Sequence, residues 1–394
     1  MQRRIDFNRS LVLGVLLAGS RTVPNLARLT GYSRPTVDAI ISELTSEKLI
    51  EIAGVAESSG GRRAQLYSIS KTGRTAIGIA VAIPKISAVL VDLGGTVLAE
   101  KEISIPLWCP ADAFISHLEK LCGSLVVSVP DWPTFAGIGV AVPGIVDSEK
   151  GVSIFFSRLS TFYNTPIKSM LEERLNLKVE LSRYLGTAAI ADLYTNHKNI
   201  NSPVLYIELG EGIEMAIISD GKPYRGAMRN EGALGHMVIE AGGRTCLCGG
   251  KGCLEAYASN RVLMDEALLR IRNGEKSILP VDREIDDADF YQAVKQGDSL
   301  VTEVATKGLE YLSMGIANVV NILNPGTVIV SGALAGAGEN FLNKLKDRIR
   351  SFALSLLSSK LDIRFLPFEL RDGARGVAMS RIYSELNISN LSHI

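Results

Sequence analysis

The chain has 394 residues, 42 basic and 42 acidic side chains and a hydrophobic fraction of 46%. It is too long for one ordinary core and too apolar to be mainly disordered. No apolar run reaches the roughly 18 residues that a membrane span needs. Five cysteines, at 109, 122, 246, 248 and 253, are too few and too uneven for a disulfide framework, and three of them crowd together as they would around a metal in a reducing compartment. Arg3 and Arg4 before the apolar stretch 11–18 mimic a secretory signal, but Asp6 and Asn8 interrupt the basic region and no clean cleavage site follows. The segment reads as a soluble helix of a cytoplasmic protein.

The zero net charge conceals an asymmetry. Residues 1–75 hold eleven basic and six acidic side chains, a charge of +5, which leaves −5 on the remainder. A basic head on an acidic body suits a polyanionic partner for the head, although a solvated surface would carry the same charge. Leu11, Val12, Val15 and Leu16 form one apolar helical stripe. Val23, Leu26, Ala27 and Leu29 begin a short second helix with Pro24 in its first turn. Gly31-Tyr32 makes a turn, Ser33 suits an N-cap, and Val37, Ile40, Ile41 and Leu44 make a third stripe through Glu47. This is the helix-turn-helix plan. The third helix would enter a DNA major groove by its N-terminal end, where Ser33, Arg34, Pro35, Thr36 and Asp38 lie. Strand-like runs at 49–53 and 65–69 follow. Between them, Ser58-Ser59-Gly60-Gly61-Arg62-Arg63 reads as the tip of a wing, with Arg62 and Arg63 suited to phosphate or a narrow minor groove. The plainer alternative is a three-helix bundle with a basic loop. The expectation is a winged helix-turn-helix DNA-binding domain over residues 1–72.

From residue 73 the pattern alternates. Apolar, β-branched runs at 75–83 and 86–92 are split by Pro84-Lys85, and a third strand follows at 96–105. A helix covers 111–127, and a buried strand at 135–142 ends in Pro143-Gly144. Strands at 177–181 and 204–209 bracket a helix near 187–195, and 213–219 leads to a hairpin turn at Gly221-Lys222. Helices are expected near 254–258, 260–272, 286–296 and 298–323, then a strand at 327–331 and a last helix near 340–357. The class is α/β with strand meanders and crossover helices, and two strand-rich halves suit a duplicated pair of lobes.

The strongest chemical signal is Cys246-Leu-Cys248-Gly-Gly-Lys-Gly-Cys253, preceded by His236. Three thiols and an imidazole supply the four ligands of a closed tetrahedral zinc site. No open position remains, so the expected role of zinc is structural rather than hydrolytic. Buried free thiols beside an incidental histidine are the alternative.

These residues carry a resemblance. Gly235-His236 followed by Cys-x-Cys-Gly-x-x-Gly-Cys-Leu-Glu resembles the signature of the ROK family of sugar kinases and sugar-responsive repressors. Gly137–Asp147 is similar to the family's strand and turn at the interlobe cleft, and Asn324-Pro325 through Ser331-Gly332 to the turn beneath the nucleotide base. The resemblance covers nearly the whole chain. It implies a two-lobed actin-like ATPase (ribonuclease H-like) fold over residues 73–394, serving effector binding and oligomerisation. With the head in front it implies the repressor branch, whose members form homodimers or homotetramers.

The kinase chemistry departs from that pattern. A sugar kinase needs a carboxylate base and glycine-rich turns whose amides hold phosphate. The family's base is the Asp of an Asn-Asp pair, where this chain has Arg183-Tyr184. The first phosphate turn falls on Ala80-Val81-Ala82-Ile83-Pro84, without glycine. Asp92-Leu93-Gly94-Gly95-Thr96 spells that motif one strand too late and reads as a hairpin turn. The second turn, Gly210-Glu211-Gly212-Ile213-Glu214, places two carboxylates where anions would sit. The resemblance also assigns sugar contact to His236 and Glu255, while Ala233 stands in place of a sugar-binding Glu. His236 and Glu255 would equally persist for zinc binding and helix packing alone.

Arg183 stands in place of a neutral amide, and Arg158 lies in the segment that approaches the sugar in the family. With Arg225 and Arg229 these guanidiniums favour an anionic effector, a sugar phosphate or sugar acid, unless they are surface or structural residues. The expected effector set is Arg158, Arg183, His236 and Glu255. The whole reads as a repressor of carbohydrate genes that binds an operator in double-stranded DNA as a homo-oligomer, without catalysis and without a membrane partner. A sugar kinase with a fused DNA-binding head and a regulator controlled by a protein partner are the alternatives.

Overall fold

The computed structural model describes residues 2–57, 63–106, 108–129, 134–155, 163–187, 189, 203–219, 222–227, 230–280, 282–367 and 369–388. The expected wing tip through Arg62, Arg158, Arg229, Gly221 and most of the helix expected near 187–195 lie outside the described residues. Contacts group the chain into two units. One holds Met1–Ile200, Asp220–Arg229 and Glu369–Ile394, and the other Asn201–Ser219 and Asn230–Phe368.

The first unit begins with α1 (Gln2–Leu17), β1 (Arg21–Thr22), α2 (Val23–Thr30), α3 (Arg34–Ser46), β2 (Ile50–Val55) and β3 (Gln65–Ile69). The three helices close on Leu11, Val12, Val15, Leu16, Leu26, Val37, Ile40, Ile41 and Leu44, all buried. Each such side chain contributes about 1.5–3 kcal/mol on leaving water. Caps set the helix boundaries. The Thr22 hydroxyl accepts from the Asn25 amide, α2 stops at Gly31 in the left-handed region (φ 72°), and Ser33 accepts from the Thr36 amide. The strands form an antiparallel sheet in the order β1-β3-β2. The two-residue β1 has no sequence signal, because strand alternation needs more than two residues to be seen.

The same unit continues with β4 (Thr75–Ala82), β5 (Lys85–Asp92), β6 (Val97–Ser104), α4 (Ala111–Val126), β7 (Phe135–Val142), β8 (Ile145–Asp147), β9 (Val152–Phe155), α5 (Ile167–Leu175) and β10 (Val179–Arg183). The main sheet runs β10-β7-β4-β5-β6. β4, β5 and β6 are antiparallel, while β7 lies parallel to β4 and β10 parallel to β7. α4 and α5 cover one face, where Phe114, Ile115, Leu118 and Leu171 meet Ile77, Ile79 and Val140.

The second unit holds β11 (Val204–Leu209) and β12 (Ile213–Ser219), followed along the chain by β13 (Lys222–Pro223). It continues with α6 (Glu255–Ala258), α7 (Asn260–Arg272), α8 (Asp287–Lys295), α9 (Ser299–Leu323), β14 (Thr327–Ser331), α10 (Glu339–Phe352), α11 (Ser355–Ser358) and β15 (Asp362–Leu366). β11 is antiparallel to β12 and parallel to β14, which is parallel to β15. Each unit thus contains one arrangement: a hairpin whose first strand is flanked by two successive parallel strands. That is the duplication expected from two strand-rich halves.

The chain then returns to the first unit as α12 (Leu370–Glu385). The sequence reading ended the helices near 357 and missed both β15 and α12. It also ran one helix over 340–357 where the chain turns extended at Ala353 and Leu354 between α10 and α11. α12 escaped because its buried face is built largely from Gly373, Ala374, Gly376, Val377 and Ala378, which leaves a weak apolar stripe. Small residues serve close approach. A Cβ on Gly78 of β4 would lie 1.9 Å from the Ala374 carbonyl oxygen, and one on Gly139 of β7 would lie 2.5 Å from that of Val377.

Candidate functional site

The four candidate metal ligands sit in the second unit. A 3-10 turn over Leu234–His236 presents the imidazole, and a knuckle over 245–253 presents the thiols. The knuckle is closed by the Cys246 amide donating to Gly250 O at 2.9 Å and the Gly249 amide donating to Cys246 O at 3.0 Å. Gly252 is required twice over: its φ is 79°, and a Cβ there would lie 1.8 Å from Glu240 O. The donor atoms of His236, Cys246, Cys248 and Cys253 all lie within 4.8 Å of one another. His236 Nδ1 is 3.8 Å from Cys246 Sγ, and Cys248 Sγ is 3.8 Å from Cys253 Sγ. Ligands about 2.3 Å from a tetrahedral ion are spaced about 3.8 Å apart, so the four donors fit a closed soft-ligand metal site. Burial pushes the Cys246 and Cys253 thiols up, whereas the Gly250 amide holds the exposed Cys248 down. The knuckle is anchored by Tyr257, whose hydroxyl accepts from the Arg244 amide at 2.6 Å and whose ring centroid lies 4.5 Å from that of Tyr311 in α9.

Glu255 lies beside this cluster with its carboxylate committed. Oε2 accepts from the Ile213 amide at 3.2 Å, and Cβ atoms on Gly212 and Gly235 would lie 2.8 and 3.0 Å from it. The amide thus engaged belongs to the second of the turns where phosphate would be held. Asn260, fully buried, secures the other side of that turn. Its amide donates to Gly210 O at 2.9 Å, and Nδ2 donates to Leu209 O and to Asp287 Oδ2 at 3.3 and 2.6 Å. The buried Tyr291 hydroxyl completes the set by donating to Asn260 Oδ1 at 2.7 Å. Sequence reasoning saw Asn260 only as a helix start; a polar residue directly after the good N-cap Ser259 was the available signal.

The first unit holds the Arg183-Tyr184 pair. Arg183 ends β10 opposite Val142 and is buried. Tyr184 stands at the position the resemblance gives to the base. Its ring is buried against Gly373 of α12, where a Cβ would come within 2.0 Å of Cε2, and its hydroxyl donates to Glu369 O at 3.4 Å. The first candidate phosphate turn is a two-residue hairpin, Ile83-Pro84, with Ala82 opposite Lys85. The Asp92–Thr96 motif makes the expected hairpin turn. Asp92 Oδ1 accepts from the Thr96 amide at 2.8 Å, and Arg375 donates to Gly95 O at 2.6 Å.

In the head, Ser33, Arg34 and Pro35 are exposed at the start of α3, and the Ser33 hydroxyl lies 2.8 Å from that of Thr36. Arg63, exposed, precedes β3. Arg9 of α1 braces α3 from behind by pairing with Glu43 and Glu47 at 2.8 and 2.5 Å. No helix among the described residues is long and apolar enough to cross a membrane.

The xylose repressor of Caldicellulosiruptor bescii is 30% identical over 368 residues, covering 91% of each chain. The DNA-binding transcriptional dual regulator NagC of Escherichia coli is 26% identical, covering 86% of this chain and 83% of its own. The crystal structure of a ROK family transcriptional regulator, a homologue of the E. coli MLC protein, superposes with a TM-score of 0.83 at 23% identity, covering 98% of this chain and 99% of that one. The fold is therefore the expected α/β, actin-like one. The family model described as ROK family matches residues 76–380, and the chain belongs to the ROK family.

Proposed function

We propose that this protein is a DNA-binding transcriptional repressor whose kinase-like body binds a sugar or sugar-derived effector without phosphorylating it. The observation that carries this reading is the capped, exposed start of α3, placed one glycine turn after α2 and joined to a ROK body. Repressor-named relatives align across both parts. Residues 1–72 act as a winged helix-turn-helix domain. The N-terminal turns of α3 enter the major groove, with Ser33 and Pro35 shaping the approach and Arg34 and Thr36 contacting phosphate or base edges. Arg62 and Arg63 follow the backbone from the wing. A homodimer or homotetramer pairs the heads on an inverted repeat.

Residues 73–394 form the effector and oligomerisation part. His236, Cys246, Cys248 and Cys253 hold zinc, which cross-links the knuckle and takes no part in catalysis. His236 and Glu255 are the sugar-contacting members of the proposed effector set, and Arg158 and Arg183 bias it toward a sugar phosphate or sugar acid. The absence of phosphoryl transfer is supported by Tyr184, a phenol packed into the protein where a carboxylate base is needed. The Ile83-Pro84 hairpin has no glycine loop for phosphate, and the Ile213 amide is engaged by Glu255. A ligand shifts DNA affinity only by binding the two arrangements of the heads unequally.

The test is a gel-shift titration of the full chain on DNA from its own promoter region, paired with thermal-shift screening of sugars, sugar phosphates, sugar acids and ATP. Sequence-dependent DNA binding weakened by one sugar-class ligand, with no ATP turnover, is expected. ATP-dependent phosphorylation of a hexose would overturn the non-catalytic part, and absence of DNA binding the regulatory part.

A further inference from the structure

The exposed strip of α3 carries one acidic side chain that the fold leaves open. At about 100° per residue, Arg34, Asp38, Ser42 and Thr45 fall within about 80° of one another. All four are exposed, while Val37, Ile40, Ile41 and Leu44 turn into the core. The other two carboxylates of this segment, Glu43 and Glu47, both pair with Arg9 behind the helix. Asp38 does not. Its carboxylate has no hydrogen bond or ion pair among the described residues, and Arg34, one turn earlier, does not pair with it. Ser42, the next residue along the strip, is short and leaves the carboxylate reachable from that side.

An open carboxylate in the first turns of a groove-binding helix is a liability unless it meets a donor. The phosphates on both sides of the groove repel it, and a head of charge +5 gains nothing from it electrostatically. The major groove offers a donor that suits a carboxylate, the exocyclic amino group of cytosine. We infer that Asp38 is the specificity-determining residue of α3, accepting a hydrogen bond from cytosine N4 in each operator half-site. This rests on the DNA-binding reading above and adds to it which residue reads a base and which base it reads. Arg34 supplies attraction at the groove edge, and Asp38 converts it into selectivity by rejecting guanine and thymine, whose groove edges present no amino donor. The chemistry also states what replacement does: an asparagine side chain pairs with adenine N6 and N7, so Asp38→Asn redirects the preference rather than abolishing it.

The test is selection from a random DNA pool by the purified full chain at 0.15 M salt (the order of physiological ionic strength), with wild type, Asp38→Asn and Asp38→Ala in parallel. Titration of the enriched sites follows. Wild type is expected to enrich a half-site with one invariant cytosine, and changing that base should weaken binding about 5- to 150-fold, the range of one good base contact. Asp38→Ala should lose the preference at that position alone, with less than about 2-fold discrimination left, while binding non-specific DNA at least as tightly as wild type. Asp38→Asn should enrich adenine there. If Asp38→Ala enriches the same half-site as wild type, the inference is wrong although the protein binds DNA. If wild type enriches no sequence, the DNA-binding reading fails first and this inference with it.

Discussion

The contact between Tyr184 and Gly373 gives the sharpest test of Tyr184 as a packing residue. In Gly373→Ala the new Cβ would lie 2.0 Å from Tyr184 Cε2 and 2.6 Å from Cζ. Ordinary carbon contacts are about 3.5–4.0 Å, so ring and helix must part by about 1.5 Å. Neither moves easily. The ring is buried, and α12 is seated on β4 through Gly78, where the Ala374 carbonyl leaves no slack. Overpacking of this kind costs about 1–3 kcal/mol. Tyr184→Ala removes the ring instead and costs about 3–5 kcal/mol. In the double variant the methyl group enters the space that the ring vacates. The two effects should therefore fall short of their sum by about 0.5–3 kcal/mol. Urea unfolding of the full chain, read on the transition of the first unit in all four proteins, measures that coupling. Additivity within about 0.5 kcal/mol would refute the contact and with it the reading of Tyr184 as a packing residue. Tyr184→Asp completes the set: it should be destabilised in the same way and should not phosphorylate any hexose.

Three further outcomes follow from particular groups. Burial, and then the Glu214 carboxylate opposite it, push Glu208 up to about 8, so its stabilising proton is fully present below the unfolded value of about 4.3 and lost as pH rises through the folded one. Glu208→Gln should therefore gain on wild type as pH rises from about 4.3 to 8, by at least about 1 kcal/mol, in urea midpoints taken across that window. Asp298 behaves oppositely. Burial raises it, but the amides of Val301 and Ile278 and the Ser277 hydroxyl hold it below the usual carboxylate range, so its contribution is present above about pH 3.9 and lost as pH falls. Asp298→Ala removes the α9 N-cap and should cost about 0.5–2 kcal/mol near neutral pH, with a smaller difference in acid melts. Elemental analysis should find roughly one zinc per chain, lost in Cys253→Ser, with increased hydrogen exchange over 245–253 and in the adjoining turn at 234–236.

How far the sequence carried depended on how local each signal was. The metal cluster needs four side chains of distinctive chemistry within eighteen positions, so composition and spacing reached it. The three-helix head needs apolar stripes, caps and one glycine, each readable from neighbours a few residues away. α12 needs knowledge of what it lies on. Its glycines and alanines look like a weak helix until Gly78 and Gly139 of two distant strands are placed beneath them. The Asn260 network has the same difficulty, since its partners Leu209, Gly210, Asp287 and Tyr291 come from two segments distant in the chain.

Departures from the family's kinase pattern were legible where the contacts that fill those positions were not. The sequence shows a phenol at 184 and a glycine-free turn at 80–84, which argues against a base and a phosphate loop. It does not show that the phenol ring fills the space over Gly373, or that Glu255 occupies the Ile213 amide. These contacts matter for how such a body would be used. On the proposed reading, side chains that fill the positions the resemblance gives to ligands would stabilise the body without a nucleotide. On that reading an effector would compete only with intramolecular contacts, and its binding energy would act on DNA affinity. A body that still needed ATP would couple gene control to nucleotide level; the Tyr184–Gly373 and Glu255–Ile213 contacts argue that this one does not. Addition of ATP should accordingly leave both the melting temperature and the DNA affinity of the full chain unchanged.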